Sequence, residues 1–210
     1  MNIRGIILEG YSNAGKTSLL RALKQYQATD DASELSVVIL GEHYTQILNN
    51  VHGELTRLSR DQHIELLKNK VDMIKELNDW ANFLGPWKRK SRGLLFIFER
   101  FHLNHRVAFP NSDDNEITAV EKQLLELGAK CILLTISNDR VEERIKSRNP
   151  DDWVHKSKDD IEQACKELIG TQNNLRIQAT KTVIPTIEIN TDNKDWNAYA
   201  RLIMEDNDFA

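Results

Sequence analysis

Residues Gly10-Tyr11-Ser12-Asn13-Ala14-Gly15-Lys16-Thr17 carry the spacing G-x-x-x-x-G-K-[ST], and few eight-residue patterns constrain a chain more tightly. Glycine at both ends lets the backbone turn through conformations closed to other residues. Successive N–H groups then face inward as an anion-binding nest at the positive end of the following helix. Lys16 supplies a point charge for the β- and γ-phosphates, and Thr17 a hydroxyl for Mg²⁺. The context is the one the motif needs. The apolar run Ile3 to Leu8 precedes it and reads as a buried strand, and Lys16 to Gln27 follows as a helix with Leu19, Leu20 and Leu23 on one face. Gly10, Ser12, Asn13, Ala14, Gly15, Lys16, Thr17 and Ser18 are therefore the expected nucleotide contacts.

The rest of the chain alternates strand and helix. Apolar runs at Ser36–Leu40, Leu94–Phe98, Cys131–Ile136 and Thr186–Asn190 add four strands. The pattern from Tyr44 to Lys90 is helical, with one helix near Tyr44 to Asn50 and a longer one from Arg60 to Leu84, where Ile64, Leu67, Val71, Ile74 and Leu77 recur at three- and four-residue steps. Gly85-Pro86 stops it. Further helices are expected near His102, over Glu116–Leu127, Asp139–Ser147, Asp159–Lys181 and Asp195–Met204. Together these predict an α/β, three-layer P-loop NTPase fold: a five-stranded parallel sheet, helices on both faces and a lid segment. With 210 residues and no Pro/Ser-rich linker, the chain reads as one domain, 1–210, with a helical acceptor-binding insert at about 44–92 and a lid at about 140–158.

A net charge of −4 argues against a large nucleic-acid footprint, which needs a basic surface. No apolar stretch approaches the length of about 20 residues that spans a bilayer, and the apolar part of the N-terminus is too short for a signal peptide. Two cysteines, Cys131 in an apolar run and Cys165 in a helical pattern, suit a reducing compartment. The expectation is a cytoplasmic protein without membrane or nucleic-acid-polymer partners.

The third major strand ends in Phe98-Glu99-Arg100-Phe101, which should emerge beside the phosphate loop at the carboxyl edge of the sheet. A carboxylate there serves Mg²⁺, and an arginine neutralises phosphate charge; an ordinary surface Glu–Arg pair is the alternative. The block Glu99-Arg100-Phe101 through His105-Arg106 resembles the Glu-Arg-Ser segment of deoxyribonucleoside kinases, which is followed five residues later by Asp-Arg, with thymidylate kinases as close cousins. Glu99, Arg100 and Arg106 match. Phe101 stands for the Ser, and His105 for an Asp that in the family helps read the base.

The resemblance extends to Glu42, just after the second strand, where the family keeps a carboxylate that acts as general base on the acceptor hydroxyl; here His43 replaces the usual Pro. It extends also to Asp139–Arg148, similar to the family's lid. There Arg140, Arg144 and Arg148 recur every four residues and share a helical face able to gather transferring charge. A solvated helix supported by the Glu142–Lys146 pair is the alternative. The resemblance implies an ATP- and Mg²⁺-dependent phosphotransferase with a small-molecule acceptor, a nucleoside or nucleoside monophosphate. It places Lys16, Glu42, Arg100, Arg144 and Arg148 in catalysis and Thr17 and Glu99 at the metal, and it allows a homodimer.

Two rivals stand beside this expectation. The acceptor is another small hydroxyl compound, an option opened by His105; or the chain is a nucleotide-dependent ATPase or switch. The second is weakened because Asn193-Lys194-Asp195 lacks the Asn-Lys-x-Asp spacing of a guanine reader and because Glu99 replaces a strand-end Asp. His102 and His105, three apart, lack an evident third metal ligand. Trp80 and Trp87 flank the helix stop and serve either base stacking or core packing. Asp113 to Glu116 reads as a solvated loop and helix start, and Glu205 to Ala210 as a frayed tail.

Overall fold

The computed structural model describes residues 3–30, 34, 36–51, 53–83, 93–110, 114–148 and 150–205. In chain order they form β1 (Ile3–Glu9), α1 (Lys16–Thr29), β2 (Ser36–Leu40), β3 (Leu48–Val51), β4 (Glu54–Arg57), α2 (Arg60–Phe83), β5 (Leu94–Glu99), α3 (His102–Ala108), α4 (Asn115–Glu126), β6 (Ala129–Thr135), α5 (Val141–Arg148), α6 (Pro150–Trp153), α7 (Lys158–Ala179), β7 (Thr186–Asn190) and α8 (Trp196–Glu205). The main sheet has the order β2-β5-β1-β6-β7, and every pairing in it is parallel. This is the five-stranded α/β architecture that the alternation predicts.

Side-chain alternation along these strands makes two cores. Ile6 and Leu8 of β1, Leu95 and Ile97 of β5, and Ile132 and Leu134 of β6 face α1, α5 and α8. Ile7, Phe96, Phe98, Cys131 and Leu133 face α2, α3 and α4. Strands buried on both faces read as continuous apolar runs, which is why they were visible without any knowledge of their neighbours. Helix α2 buries Ile64, Leu67, Val71 and Ile74, but its last turns leave the core: Leu77 and Trp80 are exposed, and Trp80 stacks on Phe83 at 5.5 Å. Trp80 is thus no core residue. The expected stop at Gly85-Pro86, Leu84, Trp87, Asp113 and the tail beyond Glu205 lie outside the described residues.

One expected helix is absent. Residues 44–50 do not form one; a 3-10 turn covers Glu42–Tyr44, and β3 then pairs antiparallel with β4. The last pair of the hairpin is Val51 with Glu54, and just before Glu54 the chain passes through Gly53 at φ 89°, a conformation that glycine adopts without steric cost. Among the described residues, the insert between β2 and β5 is therefore a hairpin followed by a helix.

The order of the sheet places the end of β1 between the ends of β5 and β6. Glu9 closes β1 and is buried. Its Oε1 accepts the N–H groups of Phe101 (2.9 Å), Leu103 (2.9 Å) and Asn104 (3.4 Å) at the start of α3. Burial pushes this carboxyl up to about 7, against the pull of those three amides and of Lys16. The clamp holds the β5–α3 junction against the phosphate loop, with Arg100 between them at φ 53°, a region non-glycine residues occupy only when their surroundings impose it.

A carboxyl whose pKa is raised on folding stabilises the native state fully below its unfolded value and loses that contribution as pH rises through the folded value. For Glu9 the window runs from 4.5 to about 7. Glu9→Gln keeps the acceptor oxygen and removes the titration. Between pH 4.5 and pH 8 the wild type should lose about 3 kcal/mol of stability relative to the variant. Urea unfolding of both proteins across that range measures it, and a difference independent of pH rejects the assignment.

Candidate active site

Between β1 and α1 the chain turns through left-handed or glycine-only conformations at Gly10 (φ 141°), Asn13 (φ 76°) and Gly15 (φ 96°). The glycines are also demanded by their neighbours. A Cβ on Gly10 would stand 2.7 Å from the Leu134 carbonyl oxygen, and one on Gly15 would stand 2.2 Å from the Trp196 ring. Lys16 folds back over the loop it follows. Its Nζ donates to the carbonyl oxygens of Gly10 (2.9 Å) and Tyr11 (3.2 Å). Burial, reinforced by the charge of Arg100, lowers its pKa to about 8 in spite of Glu42, Glu99 and Glu9 nearby. Thr17 is exposed, and with Ser18 it lines the cavity above the loop; Ala14 is buried beneath it.

The ends of β2 and β5 deliver three more groups. Arg100 Nη2 donates to Ser12 Oγ at 2.9 Å, and Arg100 Nε pairs with Glu42 Oε2 at 2.9 Å. One guanidinium thus ties the tip of the phosphate loop to the carboxylate after β2. Glu99 is buried beside them, and its Oε1 has no hydrogen-bond partner. Burial raises its pKa, while the charge of Lys16 and the Glu42 N–H lower it. An unsatisfied buried carboxylate oxygen is costly unless something positive reaches it, so this donor set fits a hard divalent cation.

Under these groups runs a neutral histidine chain. His63 Nε2 meets the Thr45 carbonyl oxygen at 2.8 Å, and His63 Nδ1 meets His105 Nδ1 at 2.9 Å. With the proton of Nε2 directed at the carbonyl, His63 Nδ1 is the acceptor and His105 Nδ1 the donor. Burial lowers both pKa values, that of His105 to about 3. Thr45 Oγ1 in turn donates to the Glu99 carbonyl oxygen. The chain stiffens the turn that carries Glu42.

His105, His102 and Arg106 are all buried rather than facing the cavity. Arg106 is engaged by Glu121 (2.7 and 3.0 Å), Thr118 (3.1 Å) and Asp114 (3.1 Å). It joins α3 to α4, and matching a family motif at this position does not place it at the loop. Among the described residues no group of three His, Cys, Asp or Glu side chains gathers around a metal position.

The three arginines spaced four apart, Arg140, Arg144 and Arg148, separate. Arg144 is buried and donates to the Thr191 carbonyl oxygen, on the side of the cavity bounded by Lys194 and Trp196. Arg148 reaches the loop tip, where Nη1 donates to Asn13 Oδ1 at 3.1 Å. Arg140 lies in a 3-10 turn, is exposed and pairs with Glu143 at 3.2 Å, away from the cavity. The four-residue spacing fails at Arg140 because α5 begins only at Val141. The resulting cavity has a volume of about 320 Å³ and gathers Lys16, Arg100, Arg144, Arg148 and Lys194 around the loop, with Glu42 opposite.

Three participants escaped the sequence reading. Glu9, one residue before the motif, falls between the strand Ile3 to Leu8 and the loop and has no role in the sequence reading. His63 sat unremarked in a helical pattern. Trp196, whose ring covers Gly15, opens a C-terminal helix about 180 residues downstream. Only the acidic residue directly ahead of Gly10 carried a usable signal.

No protein-family model matches the chain, and no curated protein sequence matches it. Solved structures do. The YorR protein of Bacillus subtilis, in complex with phosphorylated GDP, aligns with a TM-score of 0.58 at 14% identity, covering 95% of this chain and 93% of that one. An unliganded sugar kinase from a Janibacter species aligns with a TM-score of 0.50 at 10% identity, covering 97% and 95%. A deoxyadenosine kinase from M. mycoides with bound dCTP aligns with a TM-score of 0.44 at 18% identity, covering 95% and 96%. With the sheet order and the loop, the first two show that the chain has the three-layer α/β P-loop fold. Among the described residues no helix is long and apolar enough to cross a membrane.

The lowered pKa of Lys16 has a measurable consequence. The charged amine attracts phosphate, so nucleotide affinity should be full below about pH 8 and fall as pH rises through it. Binding above pH 8 should take up a proton, because the phosphates restore the amine's usual pKa. Calorimetric titration with MgATP in buffers of different ionisation enthalpy reads both effects. Constant affinity and no proton uptake from pH 7 to pH 9.5 exclude Lys16 from phosphate binding.

Proposed function

We propose that this chain is an ATP- and Mg²⁺-dependent small-molecule kinase that passes the γ-phosphoryl group to a hydroxyl of a nucleoside-like acceptor. The observation that carries this reading is the Ser12–Arg100–Glu42 chain at the tip of the phosphate loop, with Lys16 on one side and Arg148 on the other. A loop that only binds nucleotide has no use for a carboxylate held by an arginine at the place where the terminal phosphate ends. The YorR protein, similar in fold, is bound to phosphorylated GDP, which accords with a nucleotide-handling cleft here.

In this reading the loop amides from Ser12 to Ser18 cradle the donor phosphates, and Lys16 leaves the Gly10 and Tyr11 carbonyls to take up the β- and γ-oxygens. Thr17 and Glu99 would hold Mg²⁺, which when bound neutralises the charge of the phosphates. Glu42 orients the acceptor hydroxyl and accepts its proton as the new bond to the γ-phosphorus forms and the bond to the β–γ bridging oxygen breaks, leaving ADP. Arg100 and Arg148, fixed at Ser12 and Asn13, lie where the equatorial oxygens of the transferring group gather charge, a role that preorganised cations fill well. Arg144, turned toward Thr191, acts on the donor side of the same cavity.

The decisive experiment is an ATP-consumption screen against nucleosides, nucleoside monophosphates, sugars and unrelated alcohols, with Lys16→Ala as the blank. One acceptor should raise consumption well above background. For that acceptor Glu42→Gln should lower turnover by about 100-fold or more while leaving ATP affinity within a factor of two. Unchanged turnover removes Glu42 from the chemistry, and rapid ATP hydrolysis that no acceptor stimulates replaces the kinase by an ATPase.

A further inference from the structure

Lys16, Arg100 and Arg148 each bond to an uncharged oxygen of residues 10–13. Lys16 Nζ lies on the Gly10 and Tyr11 carbonyls, Arg100 Nη2 on Ser12 Oγ at 2.9 Å and Arg148 Nη1 on Asn13 Oδ1 at 3.1 Å. The cations come from different elements: Lys16 opens α1, Arg100 follows β5 and Arg148 ends α5. Their partners differ in kind. Lys16 uses backbone oxygens that any sequence supplies. The two arginines use side chains at positions that G-x-x-x-x-G-K-[ST] leaves open, so phosphate binding by the loop amides does not explain why Ser and Asn stand there.

Resting on the kinase reading, we infer that Ser12 and Asn13 are positioning residues: their side-chain oxygens stand in for oxygens of the donor's terminal phosphate, holding Arg100 and Arg148 at the loop tip between turnovers and yielding them when the triphosphate binds. Ser12 sets the orientation of Arg100. The Arg100 Nε stands 2.9 Å from Glu42 Oε2, yet its N–H is not aligned with any hydrogen-bond acceptor among the described residues. Charge holds that pair together, and the bond to Ser12 fixes which way the guanidinium turns. The other end of the residue is fixed by the backbone, where the Arg100 N–H donates to the Leu8 carbonyl oxygen at 3.0 Å. With both ends set, Arg100 keeps Glu42 drawn toward the loop tip. Arg148 is exposed, and its bond to Asn13 is what ties the end of α5 to the loop. Asn13 takes φ 76°, a backbone that Asn adopts more readily than most residues, so one residue supplies both the turn and the acceptor oxygen.

Charge gives the exchange its direction. A hydroxyl or amide oxygen offers an arginine one neutral contact, whereas a phosphate offers paired oxygens and a full negative charge, the geometry that guanidinium groups bind best. Neutral partners therefore hold the arginines without outcompeting the donor. They also leave the mutual repulsion of the cations uncancelled: the charge of Arg100 bears on Lys16 and helps to lower its pKa. A terminal phosphate relieves that repulsion. ADP carries none, so with ADP bound the arginines stay on Ser12 and Asn13. Once the phosphoryl group has moved to the acceptor, the same two oxygens compete with the product for Arg100 and Arg148, which favours its release, a step that often limits turnover. A carboxylate at either position would hold its arginine too strongly to yield it and would repel the donor.

Nitrogen-15 NMR of the arginine side chains tests this on the whole chain, because guanidinium Nη protons are resolved only while rotation of the group is hindered. Arg100→Lys and Arg148→Lys assign the two sets of signals. Without nucleotide, the Arg100 signals should be resolved in the wild type and in Ser12→Thr, which keeps the hydroxyl, and lost in Ser12→Ala. Asn13→Gly, which keeps the left-handed backbone, should lose the Arg148 signals alone. A non-hydrolysable ATP analogue with Mg²⁺ should restore the Arg100 signals of Ser12→Ala at the shifts of the wild-type complex, and ADP with Mg²⁺ should not. Resolved Arg100 signals in nucleotide-free Ser12→Ala overturn the inference. Restoration by ADP does so too, since it reports a general stiffening of the loop rather than an oxygen for which the terminal phosphate substitutes. The two readings fail separately, because these spectra need no acceptor. The predicted spectra with no acceptor that stimulates ATP consumption keep the placeholders and discard the kinase; stimulated consumption with Ser12→Ala spectra like those of the wild type keeps the kinase and discards the placeholders.

Discussion

Two opposite charges are buried on either side of the Gly10–Gly15 turn, and much of the site follows from how each is satisfied. Glu9 spends its carboxylate on three amides at the start of α3. Lys16 spends its ammonium on two carbonyls of the loop itself. Burying a charge is tolerable only when such partners surround it. The partners differ in kind, however. Those of Glu9 belong to a neighbouring element and lock the sheet edge to the loop. Those of Lys16 are local carbonyls of the loop itself, which in the proposed function phosphate oxygens replace without disturbing the fold. The loop is thus held from behind and left poised in front.

The parallel sheet converts this local arrangement into a site. Strands β2, β5 and β1 are neighbours, so their carboxyl ends bring Glu42, Glu99 and Arg100 to the loop although up to 90 residues of chain separate them from it. Ligands bind at such a reversal of strand order because the connections diverge there and leave a crevice. Arg100 exploits the crevice by bridging Ser12 and Glu42. The cost is a left-handed backbone at a non-glycine residue, tolerated because Glu9 fixes the residues on its C-terminal side.

The legible parts of this protein were those whose signal is local. The three central strands β1, β5 and β6, buried on both faces, read as apolar runs, the edge strands β2 and β7 as shorter β-branched ones, and the loop declared itself by glycine spacing. The hairpin at 48–57 was illegible as strand because its residues are short of apolar alternation: every residue of β4 is exposed, Leu55 included. The stretch from Tyr44 therefore reads as helical, and Gly53 alone does not mark the turn. Arginine spacing brought Arg144 and Arg148 to the cavity but misjudged Arg140, since a periodicity argument assumes that the helix has already begun. Glu9, His63 and Trp196 owe their roles to contacts made across 92, 42 and about 180 residues of chain, which no window of sequence contains. His105 shows the same limit from the other side: in line with a base-reading residue of similar kinases, it turns inward to His63 and Phe109.

The account as a whole depends on Lys16 exchanging carbonyl partners for phosphates while the Glu9 clamp stays closed. A crystal structure with a non-hydrolysable ATP analogue and Mg²⁺ tests this most directly. The predicted result has Lys16 Nζ withdrawn from the Gly10 and Tyr11 oxygens and placed on the β- and γ-phosphates, Arg100 and Arg148 at the terminal phosphate, and the Glu9 contacts to Phe101 and Leu103 unchanged. A nucleotide bound away from the loop, or one bound in it with Lys16 still on the two carbonyls, would contradict the account.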